Sequence, residues 1–277
     1  MYKKIGVALA FSPRCQAMLA EAFRLKKLFE AELYCIHIGP KGTSEKEYMS
    51  DVLGKAGIKE EEIHLIWDEG KPIRKILQIC KTEGIELLVA GALQKENLFN
   101  FYIGSVARKI IRKAGCSVLM LTNPSTEPKP FQKIVVNGSD GVRDLKTIRR
   151  AIKIAHLEKA NQAHIFRDIQ GYGLSLMMST EDSEIEFSER RREFVQREID
   201  EMNDLINTID TYDVHINIKV AGGKEGHELK KFVEKIKADL LVVKAPERQL
   251  RFFDRIFPHY LEMIMADLPS NLLIDHN

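Results

Sequence analysis

The sequence predicts an α/β protein made of two doubly wound domains in tandem, each with a five-stranded parallel sheet. Three observations carry this. Short apolar runs alternate with helical patterns along both halves of the chain. A stretch near the middle, NPSTEPKP (123–130), holds three prolines and no large apolar residue, so it can continue neither a helix nor a central strand. The last helical pattern of each half repeats the same apolar spacing at an offset of 154 positions, from Ile103, Val106, Ala107, Ile110, Ile111 and Ala114 to Phe257, Tyr260, Leu261, Ile264, Met265 and Leu268.

In the first half, Lys4 to Ala10 is a short apolar run. Ser12-Pro13 reads as an N-cap followed by proline at the first helical position. Met18, Ala22, Leu25 and Phe29 then recur at helical spacing. LYCIHI (33–38), a weak helix near 44–56, IHLIW (63–67), a helix from Pro72 to Thr82, ELLVAG (86–91), the last helix and SVLML (117–121) follow. The second half keeps this order: KIVV (133–136), a helix with Leu145, Ile148, Ile152 and Ala155, AHIF (163–166), a long helix over 189–209, VHINIKV (214–220), a helix near 225–236, DLLVV (239–243), the last helix and LLI (272–274). Each crossover must return the chain in the same direction, and strands covered on both faces are almost wholly apolar. The expected domains are 1–123 and 131–277, joined by a linker at 124–130.

Composition narrows the function. Of the 277 residues, 44% are hydrophobic and 30% charged, the balance of a soluble globular protein. No apolar run approaches the ~20 residues of a membrane span, and no cleavage site follows an apolar segment near the N-terminus. A cytoplasmic protein is expected, with no membrane partner. A net charge of +2 does not point to nucleic acid. Cys15, Cys35, Cys80 and Cys116 lie in apolar patterns with no C-x-x-C spacing, and the eight histidines have no metal-ligand spacing. Reduced, buried thiols and no protein-held metal are expected.

Chemistry in such a sheet belongs beyond the carboxyl ends of the strands, where helix N-termini present unpaired N–H groups to anions. Gly91 ends the fourth strand and Gly104-Ser105 opens the fourth helix, so all three belong to that rim. Glycine would allow close backbone approach to phosphate, and Ser105 would add a hydroxyl. Arg108 and Lys109 sit in the first turn, where cations oppose the helix dipole and a bound anion would relieve them. The plainer alternative is a turn at Gly91, a packing need at Gly104 and a cap at Ser105.

The spacing resembles the G-x2-G-x9-G-[ST] motif of the universal stress protein family. Gly91, Gln94, Gly104 and Ser105 occupy its four positions, with Val106 beside them. KKIGVALAFS, LYCIHI, GKPIRKI and GCSVLML extend the resemblance over nearly the whole first half, and the second half follows more weakly in the same order. The resemblance implies a Usp-like fold, related to adenine nucleotide hydrolases. It further implies a non-enzymatic stress-response or signalling role and ATP or another adenine nucleotide in the first domain. By alignment Ala10 stands where nucleotide-binding members carry an aspartate, and Ile38 where they carry a hydrophobic residue. Loss of a charge-assisted hydrogen bond at Ala10 would cost ~1.5–3 kcal/mol. Gln94 adds bulk to the cradle.

In the second half Lys244, Glu247 or Arg248, and Pro258-His259 take the motif positions, so no nucleotide is expected there. Asn137, Ser139 or Asp140 stands near the aspartate position, with the register open. Two functions remain in competition, a nucleotide-responsive protein and a degenerate protein-interaction module; a slow ATP hydrolase ranks behind both. Family dimers suggest that the halves pack as an intrachain pseudo-dimer through their last strands, and a homodimer of the whole chain and an unknown protein partner stay open.

Three further features have plain structural readings. Leu98, Phe99, Phe101 and Tyr102, with Phe252, Phe253 and Phe257 as counterparts, are expected to pack on their own domains. The charged stretch 181–201 reads as a solvated helix face, and His37 as a core histidine.

Overall fold

The computed structural model describes residues 1–94, 101–170, 184–223, 226–246 and 257–276. Leu98, Phe99, Phe252, Phe253, Glu247 and Arg248 therefore lie outside the described residues, as does the start of the charged stretch at 181–183.

The first half runs β1 (Lys4–Leu9), α1 (Cys15–Phe29), β2 (Glu32–Ile38), α2 (Thr43–Lys55), β3 (His64–Asp68), α3 (Pro72–Thr82), β4 (Leu87–Gly91), the short β5 (Leu93–Gln94) and β6 (Phe101–Tyr102), α4 (Ser105–Lys113) and β7 (Ser117–Leu121). The second runs β8 (Lys133–Asn137), α5 (Leu145–Glu158), β9 (Gln162–Gln170), α6 (Glu184–Ile206), β10 (Ile216–Gly223), α7 (His227–Ile236), β11 (Leu240–Lys244), α8 (His259–Ala266) and β12 (Asn271–Asp275).

All the long strands join one ten-stranded sheet, ordered β10-β9-β8-β11-β12-β7-β4-β1-β2-β3. Within each half the neighbours are parallel, whereas β7 and β12 meet antiparallel. At this seam Leu119 lies opposite Leu273, with Met120 facing Leu272 and Val118 facing Ile274. Leu119 and Leu273 are equivalent under the 154-residue offset, so the pseudo-twofold axis passes through their pairing.

Alternation along the strands divides the core between the two faces of the sheet. Ile5, Val7, Leu119 and Val242 point to the side covered by α1, α2, α5 and α6. Leu88, Met120, Val118 and Leu241 point to the side covered by α3, α4, α7 and α8. Each core runs across the seam without a break. Arg24 on α1 donates to both carboxylate oxygens of Glu158 at the end of α5, at 2.8 Å each. Asp275 is fully buried and accepts from Tyr2 (3.3 Å) and Ser117 (3.2 Å) of the first half, and from Thr147 (3.0 Å) and Arg150 of the second.

The helix starts differ from the sequence pattern at one instructive place. Ser12 does not cap α1. The Ser12-Pro13 pair forms a turn in which the Cys15 amide donates to the Ser12 carbonyl at 2.9 Å, and α1 begins at Cys15 with Arg14 as N-cap. All four cysteines are free and buried. Burial pushes the Cys15 thiol up to about 11 and the Cys35 thiol up to about 12, which keeps both protonated and poorly nucleophilic. Among the described residues, no helix is long and apolar enough to cross a membrane.

Candidate functional site

The carboxyl ends of β1, β2 and β4 and the start of α4 form the rim of the first half. Ala10 is exposed just beyond β1, and Ile38 is half-buried at the end of β2. Next to Ile38, His37 is buried; its Nδ1–H donates to the Leu9 carbonyl at 3.1 Å. Phe11 folds back onto the His37 ring, 3.9 Å away and 8° from parallel, and Tyr48 and Trp67 close around it. The first residues after β1 are thus committed to an aromatic cluster against α2.

Neither motif glycine is required by its backbone. Gly104 is the N-cap of α4 with φ −68° and ψ 168°, a conformation open to any residue. What both glycines provide is space, and the chain's own side chains use it. A methyl group on Gly91 would come within 3.3 Å of Met18 Sδ. One on Gly104 would lie 2.7 Å from Leu93 Cδ1. Gln94 pairs with Phe101 in the β5–β6 hairpin. Ser105 and Val106 are exposed at the start of α4.

Arg14, unmarked in the sequence, crosses this rim. It donates to the carbonyl of Ala92 at 2.6 Å and to that of Thr122 at 2.5 Å, capping the ends of β4 and β7. The far wall comes from the second half: the Ile103 amide donates to Met265 O at 2.9 Å, and the Leu268 amide to Phe101 O at 2.8 Å. Phe101 is therefore bonded across the halves, and Phe257 lies under Arg112 of the first half at 5.1 Å, rather than each packing only on its own domain. The dipole conflict at α4 is resolved by protein as well. Arg108 turns back to Ile103 O at 2.8 Å and forms an ion pair with Glu262, so no anion is needed to hold it.

The second half has an open cleft at the matching rim, about 470 Å³ in volume. The strand register resolves which residue stands at the Ala10 position. Ile5 pairs with Leu87 and Ile134 with Leu240, which places Ser139 opposite Ala10. Its hydroxyl donates to Asn137 Oδ1 at 2.6 Å and accepts from the Asp168 amide at 3.0 Å. Asp168 takes the place of Ile38, and its Oδ2 accepts the Gly226 amide at 3.1 Å. Asp144 is buried in the cleft wall, with the Asp140 amide on its Oδ2 at 2.9 Å. Burial pushes its carboxyl up to about 6, against the pull of that amide, Lys244 and Arg167. Lys244 and Pro258 stand where the cradle glycines would be. Pro258 has no N–H to offer an anion.

Comparison with known proteins places these features. The model of the universal stress protein family matches residues 48–122, which include Gly91, Gln94, Gly104 and Ser105. Universal stress protein MJ0531 of Methanocaldococcus jannaschii is 28% identical over 146 residues, covering 46% of this chain and 86% of the relative. The chain is thus similar to universal stress proteins. Universal stress protein YxiE of Bacillus subtilis is 24% identical, over 44% of this chain and 99% of its own. A solved universal stress protein from Archaeoglobus fulgidus superposes over 98% of this chain and 97% of its own, with a TM-score of 0.66 at 14% identity. The functionally unknown protein PA1789 of Pseudomonas aeruginosa does so over 99% and 92%, with a TM-score of 0.68 at 18% identity. These two likenesses concern the fold.

The residues of the matched motif, Gly91, Gly104 and Ser105, share one rim, with Leu93 between the glycines. Sequence reasoning missed Leu93, Arg14 and Phe11 there, and Asp144, Asp168 and Gly226 in the second cleft. Leu93 had a visible signal, as a large apolar residue two positions after Gly91 in a loop.

Proposed function

We propose that this is a two-domain, non-enzymatic stress-response protein, divided at 1–123 and 131–277, that works through protein contacts without a nucleotide in its first half. The match of residues 48–122 to the universal stress protein family supports the stress-response role, and the repeated 3-2-1-4-5 strand order of each half supports the tandem division. The observation that carries the proposal is the packing of Leu93 against Gly104. The tip of Leu93, a half-exposed side chain of the same loop, reaches into the space that this glycine leaves. Ala10 supplies no carboxylate, and Arg14 is committed to two backbone carbonyls.

The competing reading, an adenine nucleotide in the first half, is favoured by the shared rim position of Gly91, Gly104 and Ser105. Calorimetric titration of the full chain with ATP, ADP and AMP separates the two. The expected result is no binding heat at millimolar nucleotide. Micromolar binding that is abolished by Gly104→Val would overturn the proposal.

A further inference from the structure

The outer surface of α3 and α4 carries a trough that meets the first rim only at Val106. Two adjoining depressions, of about 560 and 750 Å³, share Arg74, Leu77 and Lys113. Pro72, Ile73, Leu77 and Val106 form an apolar floor, and Val106 is 46% exposed. Lys71, Arg74 and Lys81 stand exposed along it and form no ion pair among the described residues. Among the described residues no aspartate or glutamate lines either depression, although the chain as a whole balances 42 basic against 40 acidic residues.

We infer that this trough receives an acidic amphipathic helix of a partner protein. Charge complementarity selects an acidic occupant, because three unpaired cations beside an apolar floor attract carboxylates and repel basic segments. Shape and backbone chemistry select a helix. Most of the wall is the helices α3 and α4, whose backbones are bonded internally, so an extended peptide laid along them would bury its own amides against apolar side chains with little to pair them. A helix brings its hydrogen bonds with it and presents an apolar stripe to the floor and carboxylates to the rim. Arg74, Leu77 and Lys81 lie at i, i+3 and i+7 on α3, so cations and floor follow a single stripe. The eleven residues of α3 span ~16 Å, which matches about three turns of the occupant. Among the described residues no aromatic side chain lines the trough to stack on a nucleobase. Its concavity also suits an inserted rod better than a flat lipid surface.

The inference rests on the contact-mediated role proposed above, and its test is separate from the nucleotide titration. The probes are fluorescent glutamate-rich peptides of about three helical turns, with leucines at i, i+3, i+4 and i+7. They are titrated against the full chain by anisotropy. Binding is expected, and it should weaken by more than about tenfold in the Arg74→Glu/Lys81→Glu variant and in Val106→Asp. The lysine-for-glutamate counterparts should not bind. Absence of binding by every acidic peptide, or binding indifferent to both variants, overturns the inference. So does an occupant of another class: charge-reversal-sensitive binding to phosphatidylserine vesicles without peptide binding, or a light-scattering dimer that the charge reversal dissolves.

Discussion

Arg108 and Glu262 occupy the same position of the two repeats, 154 residues apart, and pair with each other across the molecular axis. Arg112 donates to the same carboxylate at 2.8 Å. In a symmetric dimer of identical halves, Arg108 would meet a second Arg108. Because the two halves differ at this position, the seam is held by opposite charges that two identical halves would lack.

Glu262→Arg should therefore crowd three guanidinium groups at the seam. Both partners are partly exposed, so the loss should be about 2 kcal/mol, against about 1 kcal/mol for Glu262→Gln. Adding Arg108→Glu to Glu262→Arg should recover part of the loss. Urea unfolding of the four proteins measures the coupling. Equal stability of Glu262→Arg and the natural chain would show that the pair adds nothing.

The second cleft has a pH signature. Asp144 titrates at about 6 in the folded protein, chiefly because of burial, against an ordinary value of 3.8. The native state then binds more protons than the unfolded chain between these values. The stability this group supplies is fully present below about pH 4 and is lost as pH rises through 6. Asp144→Asn keeps an oxygen for the Asp140 amide and removes the charge. Relative to the natural chain, the variant should gain stability above pH 6, by at most about 3 kcal/mol, and gain nothing near pH 4. Unfolding curves across this range that stay parallel for both proteins would contradict the assignment.

The first rim should be recoverable as a nucleotide site. Ala10→Asp, Leu93→Gly and Gln94→Gly together reinstate a carboxylate and open the space beside Gly104. The carboxylate alone should bring ~1.5–3 kcal/mol, one to two orders of magnitude in affinity. Calorimetry should find ATP binding in the triple variant and none in the natural chain. A silent triple variant would mean that Arg14 and Phe11 also close the rim.

The sheet was legible because strands buried on both faces read as unbroken apolar runs, and the limits of β7 coincide with the sequence pattern for this reason; those of α3 do so because Pro72 opens a helix with one apolar face. Element ends moved where a distant partner decides them. The Leu93–Gln94 and Phe101–Tyr102 hairpin is two residues deep, and Leu268 of the other half holds it in place. Arg14 finds its acceptors 78 and 108 positions away, and no local pattern announces them. The spacing of the cradle was visible in the sequence, but whether a side chain filled it was not. That depended on where Leu93 folds. The register of the second half likewise needed the pairing of Ile134 with Leu240 before Ser139 could be set against Ala10.

The antiparallel seam sends the carboxyl ends of the two half-sheets in opposite directions, and α8 spans the distance between them. At its start, Pro258 and Tyr260 line the second cleft. At its far end, Met265 and Leu268 are bonded to the turn that carries Gly104. Eight residues of helix, ~12 Å long, thus work as a push rod. One end of this bar stands in the second cleft and the other holds the turn beside Gly104, so the second half carries the latch of the first.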